Sequence, residues 1–279
     1  MRVRQSDLKT WSKCPLIYRF QNLDGLTREQ SGSLTYGSII HHCVQWLEEH
    51  RDLDGAVALF QELWIQPTLL DPTYQPQYYV RGTNWKKFMD LGPKVLKDWW
   101  SIFSWDSGVV LAREHTFEVP IGSNGNTLFG TVDKLEISFK AQAYGGIGGQ
   151  VLKIVDFKTD KKQPTYDYLA EDLQFSSYAY ASTQREFWTN LGGDAAWQRH
   201  LGLERHGEWI QLNGPKRMDA GIRTQRHYNR IALAVDALAE SVSMRIFVPT
   251  ISGESCRYCE FRTPCGLPEL DENGEEVRP

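Results

Sequence analysis

The sequence predicts an α/β fold: a central mixed β-sheet flanked by helices, with a helical insertion over 51–107. Two patterns and one bulk property predict it. Apolar residues recur at helical spacing near both ends, over 36–50 and 224–244. Between them, 109–119, 127–139 and 150–158 carry the alternating, β-branched pattern of strands. The 279 residues are 41% hydrophobic and 24% charged, which suits a globular chain with a large buried core and excludes a fibrous or wholly disordered one.

Taken in order, residues Ser6 to Phe20 read as one short amphipathic helix. Ser6 is its expected N-cap, and Leu8, Trp11, Leu16 and Ile17 supply its apolar contacts. Pro15, directly after Cys14, is expected to start a new turn. A second helix over Tyr36 to His50 carries Ile39, Ile40, Cys43, Val44 and Leu47 on one stripe. The insertion holds a helix near Val57 to Leu63, a proline-rich loop from Pro67 to Pro76, and a helix from Trp85 to Trp105. Strand pieces Val109–Leu111 and Phe117–Val119 come next, then Leu128–Ile137, a glycine-rich loop (Gly145 to Gly149) and the apolar strand Val151–Phe157. Leu169 to Phe187 reads as one helix, Trp209 to Leu212 as a short strand and Thr224 to Met244 as a long helix. No linker or repeat divides the chain, so 1–279 is expected to be one domain.

Charge and hydropathy exclude some classes. The formal net charge of −4 is not that of a nucleic-acid coat protein, although it leaves room for an enzyme with a confined basic groove. No apolar run reaches the ~18 residues of a membrane span. The N-terminal MRVRQSDLKTW lacks the apolar core of a secretory signal, so the expected compartment is a reducing cytoplasm. The acidic run 271–276 reads as a solvated tail.

The five cysteines are Cys14, Cys43, Cys256, Cys259 and Cys265. An odd count argues against a disulfide framework. Cys256, Cys259 and Cys265 form C-x2-C-x5-C, a close grouping of soft thiolates that suits a metal or iron–sulfur site. Spacing alone leaves zinc and iron–sulfur both open, and leaves Cys14 or Cys43 as the fourth ligand.

Two acidic residues sit at strand ends, Asp133 in Gly130-Thr131-Val132-Asp133 and Asp156 in Asp156-Phe157-Lys158. The two-residue period of a strand puts Asp156 and Lys158 on one face while Phe157 turns to the core. Divalent metal binding by the two carboxylates, with Lys158 orienting a water and the phosphate charge, is one reading; a surface ion pair is the other. His41, on the second helix, is a competent ligand beside carboxylates. Gln174 and Tyr178 stand one helical turn apart and together can hold a phosphate or a water. Lys158, Lys161 and Lys162 cluster just after this strand, either as a track for a phosphate backbone or as a solvated charge run. Trp85, Trp99, Trp100 and Trp105 either stack on unpaired bases or pack the insertion.

In this order, Cys14-Pro15, Gly37 to His41, Gly130 to Asp133, Asp156 to Lys158, Gln174 to Tyr178 and the three late cysteines resemble the PD-(D/E)XK nuclease superfamily. Within it, they resemble the RecB-like branch that includes CRISPR-associated and AddB-type iron–sulfur nucleases. The resemblance spans 14–265. It implies a restriction-endonuclease-like core and metal-dependent hydrolysis of DNA, with exonuclease action on single strands or duplex ends. It implies that His41, Asp133 and Asp156 bind Mg²⁺ or Mn²⁺, with the Phe157 carbonyl as a further ligand. Lys158 becomes the catalytic lysine, and Gln174 and Tyr178 the positioning pair. Cys14, Cys256, Cys259 and Cys265 would hold a [4Fe–4S] cluster that clasps the first helix to the C-terminal loop. Zinc is the rival occupant. Glu114 is either an outer acidic residue of the site, as in some relatives, or an edge-strand charge. His42 reads as a helix-surface imidazole and Cys43 as a buried hydrophobe. The settings implied are CRISPR adaptation, recombination and repair, or phage DNA processing, alone or with a protein partner. Two rivals are a DNA-end-binding subunit with a silent nuclease fold and a zinc-stapled structural protein.

Overall fold

The structure, a computed structural model, describes residues 1–26, 32–74, 84–103, 108–139, 149–159, 162–250, 256–257 and 259–267. The glycine loop at Gly145 to Gly148, Lys161, Trp105, residues 75–76 of the proline-rich loop and the acidic tail lie outside them.

The elements run β1 (Arg2–Arg4), α1 (Gln5–Lys13), α2 (Pro15–Asn22), α3 (Gly32–His50), α4 (Leu53–Ile65), α5 (Asn84–Phe103), β2 (Val109–Ile121), β3 (Asn126–Phe139) and β4 (Gln150–Lys158). They continue through α6 (Tyr166–Ala170), α7 (Leu173–Ala181), α8 (Gly193–His200), β5 (Glu204–Gln211), β6 (Lys216–Arg223) and α9 (Gln225–Met244). Short 3-10 helices stand at Pro67–Leu69 and Glu186–Leu191. The six strands form one mixed sheet of order β1-β3-β4-β5-β6, with β2 also paired to β3. β3 and β4 are antiparallel, β4 and β5 parallel, β5 and β6 antiparallel. This is the α/β class expected, and it is consistent with a restriction-endonuclease-like core.

Several boundaries differ from the sequence reading. The single helix over Ser6 to Phe20 is two, because Cys14 adopts an extended backbone (φ −163°, ψ 115°) and Pro15 opens α2 at its first position. Proline at a helix start costs nothing, since the missing N–H would have no partner there. The cap of α1 is Arg4, not Ser6: its N–H donates to the Asp7 carboxylate at 2.9 Å. The helix over Leu169 to Phe187 breaks at Asp172, whose carboxylate caps α7 by accepting from the N–H groups of Gln174 (2.8 Å) and Phe175 (3.1 Å). The strand begun at Trp209 starts five residues earlier, and β1, α8 and β6 are additional.

The chain divides into two compact units. One comprises 1–29, 120–129 and 229–279; the other comprises 30–119 and 130–228. In the first, β1 pairs in parallel with Thr127 to Phe129, and Asp236 of α9 accepts hydrogen bonds from Ser123 and Asn126. In the second, the buried faces of α3, α4 and α5 close over Val155 and Phe157 of β4 and Ile210 of β5. The helices of 51–107 therefore share the core of the sheet. Trp99 is buried and Trp100 partly buried in that core, which is the packing alternative for these two tryptophans. Gly92 abuts the Phe60 ring where α5 crosses α4, leaving no room for a Cβ.

Candidate active site

The site is built where the middle of β3 meets the C-terminal end of β4, so Asp133 sits mid-strand and not at the strand end its sequence suggested. Their antiparallel register pairs Lys134 with Val155 and so brings Asp133 level with Asp156, and the next N–H along β4, that of Phe157, donates to Asp133 Oδ2 at 2.7 Å. Alternation along β4 then turns Asp156 and Lys158 to the face opposite Val155 and Phe157. Lys158 Nζ reaches both carboxylate oxygens of Asp156, at 2.9 Å from Oδ1 and 2.8 Å from Oδ2. Asp156 is 1% exposed. A buried carboxylate is tolerated only when paired and hydrogen-bonded, and the second partner is Gln174, whose Nε2 donates to Oδ1 at 2.8 Å. The same amide meets Tyr178 Oη at 2.9 Å, one turn along α7. The Asp172 cap fixes where α7 begins, and therefore which of its faces meets Asp156.

Burial pushes the Asp156 carboxyl up to about 7, with Lys158 drawing it down and Asp133 pushing it further up. Burial alone would lower the Lys158 ammonium, but Asp156 and Asp133 outweigh it and hold the lysine above its ordinary value. The lysine is therefore charged throughout the neutral range.

His41, from α3, brings Nδ1 to 3.5 Å from Asp133 Oδ2. Its ring stands edge-on to Phe157, with centroids 6.2 Å apart at 85°. Burial lowers its pKa and keeps the imidazole neutral, the form that ligates metals. The glycine one turn before it has a steric reason. A Cβ on Gly37 would lie 3.2 Å from Thr159 Oγ1, directly after Lys158. Glu114 on β2 completes the arrangement. Among the described residues, the ligand atoms of His41, Glu114 and Asp133 lie within 4.8 Å of one another, close enough to share one cation. Glu114 also has a left-handed backbone (φ 44°) inside a strand, a strained conformation for a glutamate. Burial, with Asp133 and Asp156 adding to it, raises its carboxyl to about 7. The structure thus joins His41 and Asp133 to Glu114, while Asp156 is held by Lys158 and Gln174 close by. The chain pattern left Glu114 open because its strand strain and its neighbours are invisible in one dimension. Asp172 was missed, although an aspartate before a helix-forming run is a readable cap.

The cysteines fall in two places. Cys43 is fully buried in the core of α3, α4 and α5, where burial raises its thiol to about 12. Cys14, Cys256, Cys259 and Cys265 line one small cavity, walled by Ile17, Phe20 and Phe261. The Thr250 N–H points to Cys14 Sγ at 3.4 Å. Burial and then the neighbouring Cys14, Cys259 and Cys256 raise the Cys265 thiol. Among the described residues, these sulfurs form no group of three ligand atoms within 4.8 Å of one another.

His41, Glu114 and Asp133 thus form a group that could hold a metal ion, beside the lysine-paired Asp156. The profile of the PD-(D/E)XK nuclease superfamily matches residues 2–266, and the chain belongs to that superfamily. Membership implies a metal-dependent nuclease with DNA as substrate. No curated protein matches. A solved structure titled "Crystal structure of SSO0001" is similar over 94% of this chain and 94% of that chain, at 14% identity and a TM-score of 0.31, too distant to carry an argument. Among the described residues no helix is long and apolar enough to cross a membrane.

Proposed function

We propose that this protein is a Mg²⁺- or Mn²⁺-dependent DNA exonuclease of the RecB-like iron–sulfur branch, acting on single strands or duplex ends. The observation that carries this reading is the Lys158 ammonium fixed on both oxygens of buried Asp156, next to the His41, Glu114 and Asp133 group. His41, Asp133 and Asp156 would hold the cation, with Glu114 and the Phe157 carbonyl as further ligands. The bound ion supplies Lewis acidity and a more acidic water. Lys158 keeps a permanent positive charge beside the point of attack, where it orients the water and offsets charge building on the phosphate. Gln174 holds Asp156 in place and passes that constraint to Tyr178. The 1–279 chain acts as one nuclease domain in CRISPR adaptation, recombination and repair, or phage DNA processing, alone or with a protein partner.

Cys14, Cys256, Cys259 and Cys265, which line one cavity, would hold a [4Fe–4S] cluster in this reading, with a single zinc as the rival occupant. Crowded thiols in an apolar wall, one receiving a backbone N–H, suit a polynuclear iron core.

Digestion of end-labelled single-stranded and duplex DNA, with Mn²⁺, Mg²⁺ or a chelator, tests the activity. Mononucleotide products that require the metal support it; intact DNA under every metal condition refutes it. Anaerobically purified protein is expected to be brown and to carry iron and sulfide, and one equivalent of zinc without iron refutes the cluster.

A further inference from the structure

Beside the cation group lies a cleft of about 290 Å³. It shares His41 and Glu114 with that group, and its remaining walls come from α3 and from the turn after α4. From α3 come His42 and Gln45; from the turn come Leu70 and Tyr74. The turn is held by its own hydrogen bonds. Leu70 and Asp71 donate to the Pro67 carbonyl at 3.0 and 3.1 Å, and Asp71 Oδ1 accepts from the Thr73 N–H (2.8 Å) and hydroxyl (2.7 Å). The Tyr74 N–H then closes on the Asp71 carbonyl at 2.9 Å. The tyrosine is therefore presented from an ordered backbone, which lowers the entropy lost on binding.

The wall chemistry selects the ligand. Among the described residues that line the cleft there is no lysine or arginine, and Asp71 adds a negative charge, so these walls offer a phosphate no cationic side chain. A track for the sugar–phosphate backbone would be cationic. An aromatic ring, an aliphatic side chain, an amide and an imidazole instead match an unpaired base, which needs a face to stack on and donors and acceptors for its edge. The volume lies at the lower end of ligand pockets, about 300–1,000 Å³, and admits one base and not a pair. We propose that this cleft receives the unpaired base next to the scissile phosphate, stacked on Tyr74 and read at its edge by His42 and Gln45, and so selects single-stranded or frayed ends. The inference rests on the nuclease reading above.

The test uses the full chain carrying Lys158→Ala, expected to bind with little cutting, and single-stranded oligonucleotides with 2-aminopurine stepped along their length. One position is expected to be quenched on binding. Adding Tyr74→Ala should abolish that quench and weaken binding about tenfold, within the range of one base–aromatic stack; Tyr74→Phe should restore both. An abasic nucleotide at that position should weaken binding equally when Tyr74 is present and add nothing when it is absent, as coupled groups do. Quenching at no position, or full additivity of the abasic and Tyr74→Ala losses, overturns the proposal. If wild-type protein cuts DNA with Mn²⁺ yet Tyr74→Ala binds as tightly as its parent, the cleft assignment alone falls. If the wild type cuts nothing, the nuclease reading falls and takes this one with it.

Discussion

Replacing Lys158 with alanine removes the cation that touches both oxygens of Asp156, at 2.8–2.9 Å. At that separation the attraction is about 6 kcal/mol for an effective dielectric near 20, offset in large part by dehydrating a lysine side chain that is 30% exposed. Two consequences follow. The Asp156 carboxyl, already raised to about 7 with the lysine drawing it down, rises further and becomes mostly protonated at neutral pH. The positive charge at the point of attack is also lost. Removing one such group costs about 10²–10³-fold in rate, and with a neutralised carboxylate the expected loss is ~10³-fold, about 4 kcal/mol of barrier. The assay is the initial rate of Mn²⁺-dependent cleavage of a labelled single strand, measured from about pH 7 to pH 9, alongside DNA affinity. Affinity should stay within a few-fold of wild type. Raising the pH should restore metal binding by ionising Asp156 while cleavage stays low. Recovery of cleavage to within about tenfold of wild type at high pH would refute a direct role for Lys158, leaving it only to keep Asp156 ionised. Unchanged cleavage at neutral pH would remove it from the mechanism.

Glu114→Gly should weaken Mn²⁺ binding about tenfold or more by calorimetry, yet raise the thermal midpoint of the metal-free protein, because glycine relieves a φ of 44° that costs glutamate roughly 1–2 kcal/mol. Metal-free protein should melt at progressively lower temperature as pH rises from about 4 through 7. The folded carboxyls of Asp156 and Glu114 sit near 7, above their ordinary range of about 4, so the stability they contribute is complete below that range and is lost on ionisation. Mn²⁺ should reverse that slope, since it binds the ionised forms. Gly37→Leu should cut turnover with little change in melting, because its Cβ starts 3.2 Å from Thr159 Oγ1, next to the catalytic lysine; equal losses of turnover and stability would count against a local effect. Cys14→Ser and Cys256→Ser should destabilise alike and bleach the visible absorbance. Cys43→Ser should cost about 1–3 kcal/mol for its buried hydroxyl and leave the colour intact; the reverse pattern would move the fourth ligand to Cys43.

What the chain by itself determined was local or ordered along it. Helical stripes in α3 and α9, the alternation in β3 and β4, and the Asp156-Phe157-Lys158 spacing all report a period that the backbone imposes on neighbouring residues. These were enough for the fold class and for the lysine's partner. The tertiary structure decided everything that depends on residues far apart in the chain. It brought Glu114 to His41 and Asp133 and set Cys14 rather than Cys43 beside the three late cysteines. It also broke two continuous helical patterns, at Cys14 and at Asp172, where an extended residue and a capping carboxylate override propensity. A periodic pattern records which face of an element is apolar; which distant side chains share a charge or a cleft is fixed only when those faces pack.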